Sequence, residues 1–476
     1  MEAADEENVW TSEKFIALKM EFLAARSEVA AFDILQRLVA IEKDHVDENA
    51  WLDCKDLILV LLENIPVEMM LLRQQMALLQ AVNHAPPHVI ATLANFYAKK
   101  NAATPLLGKE AVAISVAFAR RLNHTETFEA VANLLAPLAS QQEVRGELFH
   151  QLTTTRDSEH RFRIYQVLAA TLRQNTYDDS LRPIFDVLIQ DLTHTDILTQ
   201  LATMDLLADL AIISRRGAEL LNETGVIEKV QAILSHGADS PDGGFLYTAA
   251  IKFFGCLAHC YPEVIDSVPT FVDLVLNMVM HIGSLEPTQR ILAAETFAHM
   301  VFATEGKTKV EGRGQGGQNG IPNALVSLCQ ATRSGPVELR ARVIDSITTV
   351  FENFADDEQF SHWLAYMPDL PGILTTYVVR PFPETRQATI RLLSLILARQ
   401  RGVEIMLSAR ENIEAFKDWL CDSASEPEWV ACQQKNDLIR AFRLANWPCV
   451  DMTIKEQLKH YFDAPKGQPE VATMEL

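Results

Sequence analysis

The sequence predicts an all-α fold made of stacked helical repeats, and three observations predict it. Apolar residues recur at steps of three and four along most of the chain, as in residues 13–44, which is the period of an α-helix. Convincing period-two alternation, the pattern of a half-buried β-strand, is absent from the sequence. One short pattern of buried-type residues also returns at similar spacing, which indicates an array of repeated packing units rather than a single bundle.

The repeated pattern is a pair of buried-type residues, two spacers and a second pair. Between consecutive copies the second residue moves by 39, 47, 43, 50 and 46 positions, a range that brackets armadillo and HEAT repeats. The sequence therefore predicts an armadillo/HEAT-like helical-repeat solenoid, an alpha-alpha superhelix. The first pairs of the six copies are Val167/Leu168, Leu206/Leu207, Phe253/Phe254, Thr296/Phe297, Ser346/Ile347 and Leu392/Leu393.

A second module supports the armadillo order of a short helix, a glycine and a longer helix. It occurs as RRGAELLNETGVIEKVQAIL from Arg215 and as QRGVEIMLSARENIEAFKDWL from Gln400. We expect one elongated solenoid over residues 1–462, best phased over 160–420, with divergent N-terminal repeats in 1–150. Five glycines within residues 311–320 predict a flexible loop, and the aperiodic, proline-containing residues 463–476 predict a disordered tail.

Composition excludes several classes of function. The chain has 42 basic and 63 acidic residues, a formal charge of -21, which disfavours binding to nucleic acid or to an anionic membrane surface. No apolar run approaches the roughly 20 residues that span a bilayer. The 7 scattered cysteines are an odd number without the spacing of a disulfide framework, so we expect a reducing compartment, the cytoplasm or also the nucleus.

Motifs that would carry chemistry are weak. Gly312, Gly314 and Gly317 match GxGxxG, but no strand precedes them, so a flexible loop is the better interpretation. The cluster of Cys256, His259 and Cys260 lacks a second pair of ligands for zinc, which favours core packing. The metalloprotease, nucleophile-elbow and phosphate-loop motifs do not occur. We expect no enzymatic activity, no metal and no cofactor.

Several segments together resemble the 26S proteasome non-ATPase regulatory subunit 5 family. They are RFRIYQVL from Arg161, RRGAELLNETGVIEKV from Arg215, AAIKFFGCLA from Ala249, GPVELRARVIDSI from Gly335 and RPFPETRQATIRLL from Arg380. The resemblance implies a chaperone of proteasome base assembly that transiently holds the C-terminal domain of one proteasomal ATPase subunit. It also implies release before the mature proteasome forms, with further base subunits as partners and a monomeric state when free.

The groove of the predicted solenoid is placed by the repeated pattern. In an armadillo repeat, the positions two before and two after the second residue of the first pair point into the concave groove, one helical turn apart. The upper row is Gln166, Asp205, Lys252, Glu295, Asp345 and Arg391. The lower row is Ala170, Asp209, Cys256, His299, Thr349 and Leu395.

These rows indicate what the groove could bind. They lack the tryptophan and asparagine ladder that grips extended basic peptides, which disfavours an armadillo-type cargo or signalling adaptor without excluding it. Four carboxylates instead give an acidic middle, suited to a folded partner with a basic face or serving only to keep the surface soluble. The candidate partner-binding residues are Asp205, Asp209, Lys252, Glu295, His299, Asp345 and Thr349.

Overall fold

A computed structural model shows a chain built of helices. It describes residues 10–39, 41, 46, 50–63, 87–103, 109–236, 243–313, 320–421 and 429–456. Within these ranges the only extended pairing is a single bridge between Trp10 and Val46. The chain divides into two compact units, residues 1–203 and 204–476, and the boundary falls inside a helix. No helix in the described ranges is long and apolar enough to cross a membrane.

In the last hundred residues of the first unit, each helix packs against the second helix that follows it in the chain. There α4 (Pro87–Ala103) packs on α6 (Phe128–Leu135) and α6 on α8 (Ser158–Arg173), while α5 (Lys109–Ala119) packs on α7 (Gln142–Thr154) and α7 on α9 (Arg182–Asp191). This is the alternation of a two-helix repeat, as in HEAT arrays. The helices of this unit are α1 Ser12–Ala25, α2 Glu28–Val39, α3 Trp51–Glu63, α4 Pro87–Ala103, α5 Lys109–Ala119, α6 Phe128–Leu135, α7 Gln142–Thr154, α8 Ser158–Arg173 and α9 Arg182–Asp191.

The second unit repeats every three helices, because helices three apart along the chain pack side by side. A short helix, a middle helix and a long helix make one armadillo-type repeat. The helices are α10 Ile197–Ile213, which contains the boundary, α11 Arg215–Glu223, α12 Val226–His236, α13 Gly243–Cys260, α14 Val264–Ser267, α15 Pro269–Met280, α16 Pro287–Met300, α17 Thr304–Arg313, α18 Gly320–Ala331, α19 Val337–Phe351, α20 Asp357–Ala365, α21 Leu370–Tyr377, α22 Pro383–Leu397, α23 Gln400–Met406, α24 Arg410–Cys421 and α25 Trp429–Ala445.

The long helices form the spine of the second unit. We call α10, α13, α16, α19, α22 and α25 the ladder helices, because from α13 onward each packs against the next. Their predicted pairs of buried-type residues are in the core; Leu207, Phe254, Phe297, Ile347 and Leu393 are all fully buried. The predicted all-α, armadillo/HEAT-like repeat fold is therefore confirmed.

A corner joins each ladder helix to the short helix that follows, and two glycines allow a close approach there. A Cβ atom at Gly306 would lie 2.6 Å from the carbonyl oxygen of Met300, and one at Gly402 would overlap the carbonyl oxygen of Ile396. Real Cβ atoms do not approach carbonyl oxygens so closely. This close packing explains the glycine of the QRGVEIM module that the sequence shows at Gln400.

Lys307 occupies the same kind of corner and is fully buried. Its Nζ donates hydrogen bonds to the carbonyl oxygens of Val301 at 2.6 Å, Phe302 at 3.0 Å and Glu352 at 2.7 Å. The first two acceptors lie at the end of α16 and the third at the end of α19. One lysine thus satisfies otherwise unpaired carbonyls at the C-termini of two successive ladder helices.

The predicted loop at 311–320 lies partly, and the predicted tail at 463–476 wholly, outside the described residues. Helix α17 continues to Arg313 and α18 begins at the buried Gly320, so the predicted loop at 311–320 is too wide at both ends, and residues 314–319 lie outside the described residues. The predicted tail at 463–476 also lies outside them. The expectation of a single elongated solenoid over 1–462 stays a prediction.

Candidate functional site

The two predicted rows are the solvent-facing positions of the ladder helices in the second unit. We call this surface the ladder face, and it comprises the exposed or half-buried side chains at Asp205, Asp209, Lys252, Glu295, His299, Arg342, Asp345, Thr349, Arg391 and Leu395. The helix positions between them are almost all buried. Cys256 is the exception in the predicted rows of this unit, because it is 7% exposed and belongs to the core.

Ion pairs connect the ladder helices across this face. Lys252 Nζ lies 2.7 Å from Asp205 Oδ1, and Arg391 Nη2 lies 2.5 Å from Asp345 Oδ1. Between them, Glu295 Oε1 accepts from Arg342, with Nη2 at 2.6 Å. Each pair joins one repeat to the next, and all six side chains are between about one-third and three-fifths exposed.

These pairs correct the predicted acidic middle. Asp205, Glu295 and Asp345 each pair with a cation, and the partner of Glu295 is Arg342, which the sequence argument did not select. The four carboxylates and three cations leave a net charge of -1, so the surface alternates in sign. The pairing also affects titration: burial is the largest single influence and lowers the pKa of Lys252, but the hydrogen bond to Asp205 and the negative charges nearby together outweigh it, so the pKa is raised.

His299 and Thr349 contribute less to an open surface than expected. The Nδ1 atom of His299 lies 3.1 Å from Nδ1 of His259 on α13, and the His259 ring stacks on Phe302 with centroids 3.7 Å apart. Burial, reinforced by His299, lowers the pKa of His259 to about 4, and burial also lowers the pKa of His299. Both imidazoles are therefore neutral at pH 7. Thr349, on α19, is half-buried.

The structure adds a groove that the sequence argument missed. It has a volume of about 790 Å³ and lies between α19, α22 and α25. The signal for the last helix was present, because Leu438 and Ile439 repeat the buried pair at the usual spacing and Phe442 follows. The last position of the pattern, which requires a buried-type residue, is Arg443, so the copy in α25 was not recognised.

Metal binding has no candidate site in the part of the chain that the structure describes. There, no group of three or more His, Cys, Asp or Glu side chains could hold a metal ion. Cys260 donates its thiol to the carbonyl oxygen of Ile212 at 3.5 Å, and Cys256 is buried, which agrees with core packing. The ladder face presents charged side chains and the groove presents apolar ones, over a surface broad enough to bind another protein.

Comparisons with solved structures find designed armadillo repeat proteins and other engineered proteins. A designed armadillo repeat protein in complex with the peptide (KR)4 is 14% identical, covers 54% of this chain and 98% of its own, and has a TM-score of 0.40. A second engineered protein is 15% identical, covers 83% of this chain and 97% of its own, and has a TM-score of 0.41. These values are too low to carry an argument about function.

Comparisons of sequence give a family. No curated protein sequence matches the chain. A family model described as "Proteasome non-ATPase 26S subunit" matches residues 13–461, which includes both units of the structure. A match over nearly the whole chain cannot come from one shared repeat. This chain therefore belongs to the proteasome non-ATPase 26S subunit family.

Proposed function

We propose that this protein is a chaperone for assembly of the 26S proteasome regulatory particle base. It transiently binds the C-terminal domain of one proteasomal ATPase subunit, with further base subunits joining the complex, and it is released before the mature proteasome forms. The family match over residues 13–461 is the observation that supports a proteasomal role, and the resemblance of residues 160–420 to the subunit 5 chaperone supports this particular one.

The ladder face suits this role because it is broad, charged and displayed by several repeats. Exposed ion pairs contribute about 0–1 kcal/mol each to folding, so these side chains are free to exchange their partners at little cost. Charges of alternating sign select a folded surface with the complementary order and accelerate its encounter. Moderate affinity of this kind is what a chaperone that must leave its client requires.

A titration with isolated ATPase C-terminal domains tests the proposal. One of the domains should bind the wild-type protein, and the double variant Asp205→Lys/Asp209→Lys should bind it about tenfold more weakly, chiefly through slower association. Added salt should shrink the defect, because the Debye length falls as ionic strength rises. The matched control Glu228→Lys/Asp273→Lys makes the same change of charge at exposed positions of α12 and α15. Failure of every ATPase domain to bind would contradict the proposed function.

An armadillo-type cargo or signalling adaptor is the alternative. It would bind extended peptides with an affinity unrelated to proteasomal ATPases, so a competition between a basic peptide and the ATPase domain distinguishes the two. The proposal also includes residence in the cytoplasm or nucleus, a monomeric state when free and the absence of enzymatic activity, as the sequence predicts. Fractionation and sedimentation of the free protein check the first two.

A further inference from the structure

The groove between α19, α22 and α25 has an apolar floor that remains open to solvent. Ile390, Leu438 and Phe442 are buried at its base, and Leu395 is half-exposed beside them. Its volume of about 790 Å³ exceeds what one side chain fills and is within the range of ligand-binding clefts. An open apolar cleft of this size is unusual in a core that is otherwise closely packed.

The walls of the groove are lined by small residues on two different helices. Ser394 and Ala398 lie four residues apart on α22, and Ala441 and Ala445 lie four residues apart on α25. All four are exposed. Positions four apart share one face of a helix. The small side chains therefore leave each side of the groove unobstructed along about one helical turn. A helical or extended segment can therefore approach the floor closely.

Within the part of the chain that the structure describes, two polar groups at the groove, on Gln434 and Glu352, lack the partners that such groups usually have. The Oε1 atom of Gln434 is buried without a hydrogen-bond donor. The carboxylate of Glu352 makes no ion pair within the described residues, and burial raises its pKa although the charge of Lys307 acts in the opposite direction. A buried acceptor and a partly desolvated carboxylate are both stabilised by donors that a ligand brings.

The groove also continues the ladder face. Arg391 lines the groove and holds Asp345 through its guanidinium, so its charge is already matched. Glu352 is therefore the charge in the groove with the strongest need for a cation. The one other carboxylate in the lining, Asp437, is exposed and lies 3.5 Å from Arg440.

We propose that this groove is the anchor point for the ATPase C-terminal domain. An apolar side chain of that domain packs on Leu438 and Phe442, and a neighbouring Lys or Arg pairs with Glu352 while an N–H group donates to Gln434. The inference rests on the proposed function and adds to it the surface and the chemistry of the bound segment. An apolar anchor supplies the affinity that exposed ion pairs of the ladder face do not.

Filling the groove tests the inference. Ala441→Trp and Ser394→Trp each place a large side chain over the floor from an exposed position, and each should weaken binding of the isolated ATPase C-terminal domain by tenfold or more. Thr376→Trp is the matched control, since Thr376 is exposed on α21, which lines no part of the groove. Glu352→Gln should weaken binding by a few-fold, and the loss should shrink at high salt.

The outcomes separate this inference from the proposed function. Equal affinity of the groove variants and the wild type would overturn the inference while leaving the chaperone proposal intact. Absence of binding by the wild type to every ATPase domain would overturn both. Circular dichroism of each variant checks that the helices are retained, and the Glu352→Gln result stands by itself if a tryptophan variant fails to fold.

Photocrosslinking identifies the occupant in the full-length protein. Benzoylphenylalanine at position 441, with position 376 as control, should crosslink to a peptide of the ATPase domain that carries an apolar residue next to Lys or Arg. Crosslinks from position 441 only to the protein's own residues 457–476, or to a second copy of the chain, would assign the groove to those occupants and overturn the inference.

Discussion

The two units of this protein are both built from helical repeats, but a repeat has two helices in the first unit and three in the second. In the first unit, α6 is followed by a single 3-10 turn, Ala136–Leu138, and α8 is followed by Asp179–Leu181. In the second unit, the ladder helices from α10 to α22 are each followed by a short α-helix of 4 to 10 residues. The short helix is what converts a two-helix repeat into a three-helix repeat.

The units also place their buried charges differently. In the first unit, Arg161 Nη2 lies 2.7 Å from Asp191 Oδ1, and Tyr165 donates to the same carboxylate at 2.7 Å, which joins α8 to α9 within a repeat. In the second unit, Lys307 joins the ends of α16 and α19, which belong to successive repeats. In the first unit the link between successive repeats is made instead by Arg163 of α8, which donates to the carbonyl oxygen of Asn123 before α6, so each unit connects its repeats through a buried cation but at a different place.

Glycine substitutions should give the largest contrast between the units. Gly402→Ala forces a Cβ atom into the carbonyl oxygen of Ile396 and should destabilise the protein by about 3 kcal/mol or more. Gly146→Ala, in α7 of the first unit, meets open space and should stabilise by about 0.5–1 kcal/mol, because alanine favours a helix. Urea denaturation measures both, and effects of the same sign would contradict the close packing assigned to the corner.

Lys307→Met should have the next largest effect. It removes the donor of three carbonyl oxygens in a buried corner and should cost about 2 kcal/mol in the free energy of unfolding. Lys309→Met is the control, because that side chain makes only surface ion pairs with Asp266 and Glu305, and it should cost less than about 1 kcal/mol.

The difference in the free energy of unfolding between the wild type and Lys307→Met should depend on pH. Burial lowers the pKa of Lys307 to about 7, well below that of an unfolded lysine. Between these two pKa values the unfolded chain binds the proton and the folded protein releases it, so stability conferred by this residue increases with pH above 7. The difference between wild type and Lys307→Met should thus widen from pH 7 to pH 9 and stay constant below about pH 6. A difference that narrows over the upper range would contradict the burial of this amine.

Exchange of a ladder pair should have the smallest effect on folding. The double variant Glu295→Arg/Arg342→Glu keeps the ion pair but reverses its direction, and the free energy of unfolding should change by less than about 1 kcal/mol. Binding of the ATPase domain should nevertheless weaken several-fold, because the order of charges along the face is altered. Unchanged binding beside unchanged stability would show that this pair is outside the interface.

The sequence predicted the ladder better than the corners. Side chains at fixed offsets from a buried pair must face solvent, so the positions of Asp205 and Asp345 follow from helical geometry. The identities of their ion-pair partners do not follow from it. Those partners lie on the neighbouring repeat, as Lys252 does for Asp205, and the angle between helices determines which side chains come into contact. The same limit applies to Lys307, which lies in a polar-looking stretch, TEGKTKVEG, with no apolar period to reveal that it is buried.

The first 150 residues resisted phasing for a related reason. Of the six copies of the mark, one lies in the first unit, on α8 at Val167 and Leu168, and the described part of that unit lacks the short third helix between α4 and α9, so its repeats have a different length. A search tuned to one period cannot find another. The groove was missed because one arginine interrupts the mark in α25, although its floor residues keep the spacing.

The corner at Lys307 has a mechanical consequence. Its three buried bonds fix the distance between the ends of α16 and α19, whereas the pair of Glu295 and Arg342 on the ladder face is exposed and exchanges readily with water. The two helices are therefore joined at their ends by a buried polar link and along the ladder face by an exposed ion pair that lies over their packed core. We expect the distance between Glu295 and Arg342 to fluctuate more than the distance between the two helix ends that Lys307 joins. A partner bound across these two repeats would therefore meet charges that can rearrange on the surface without any change at the buried corner.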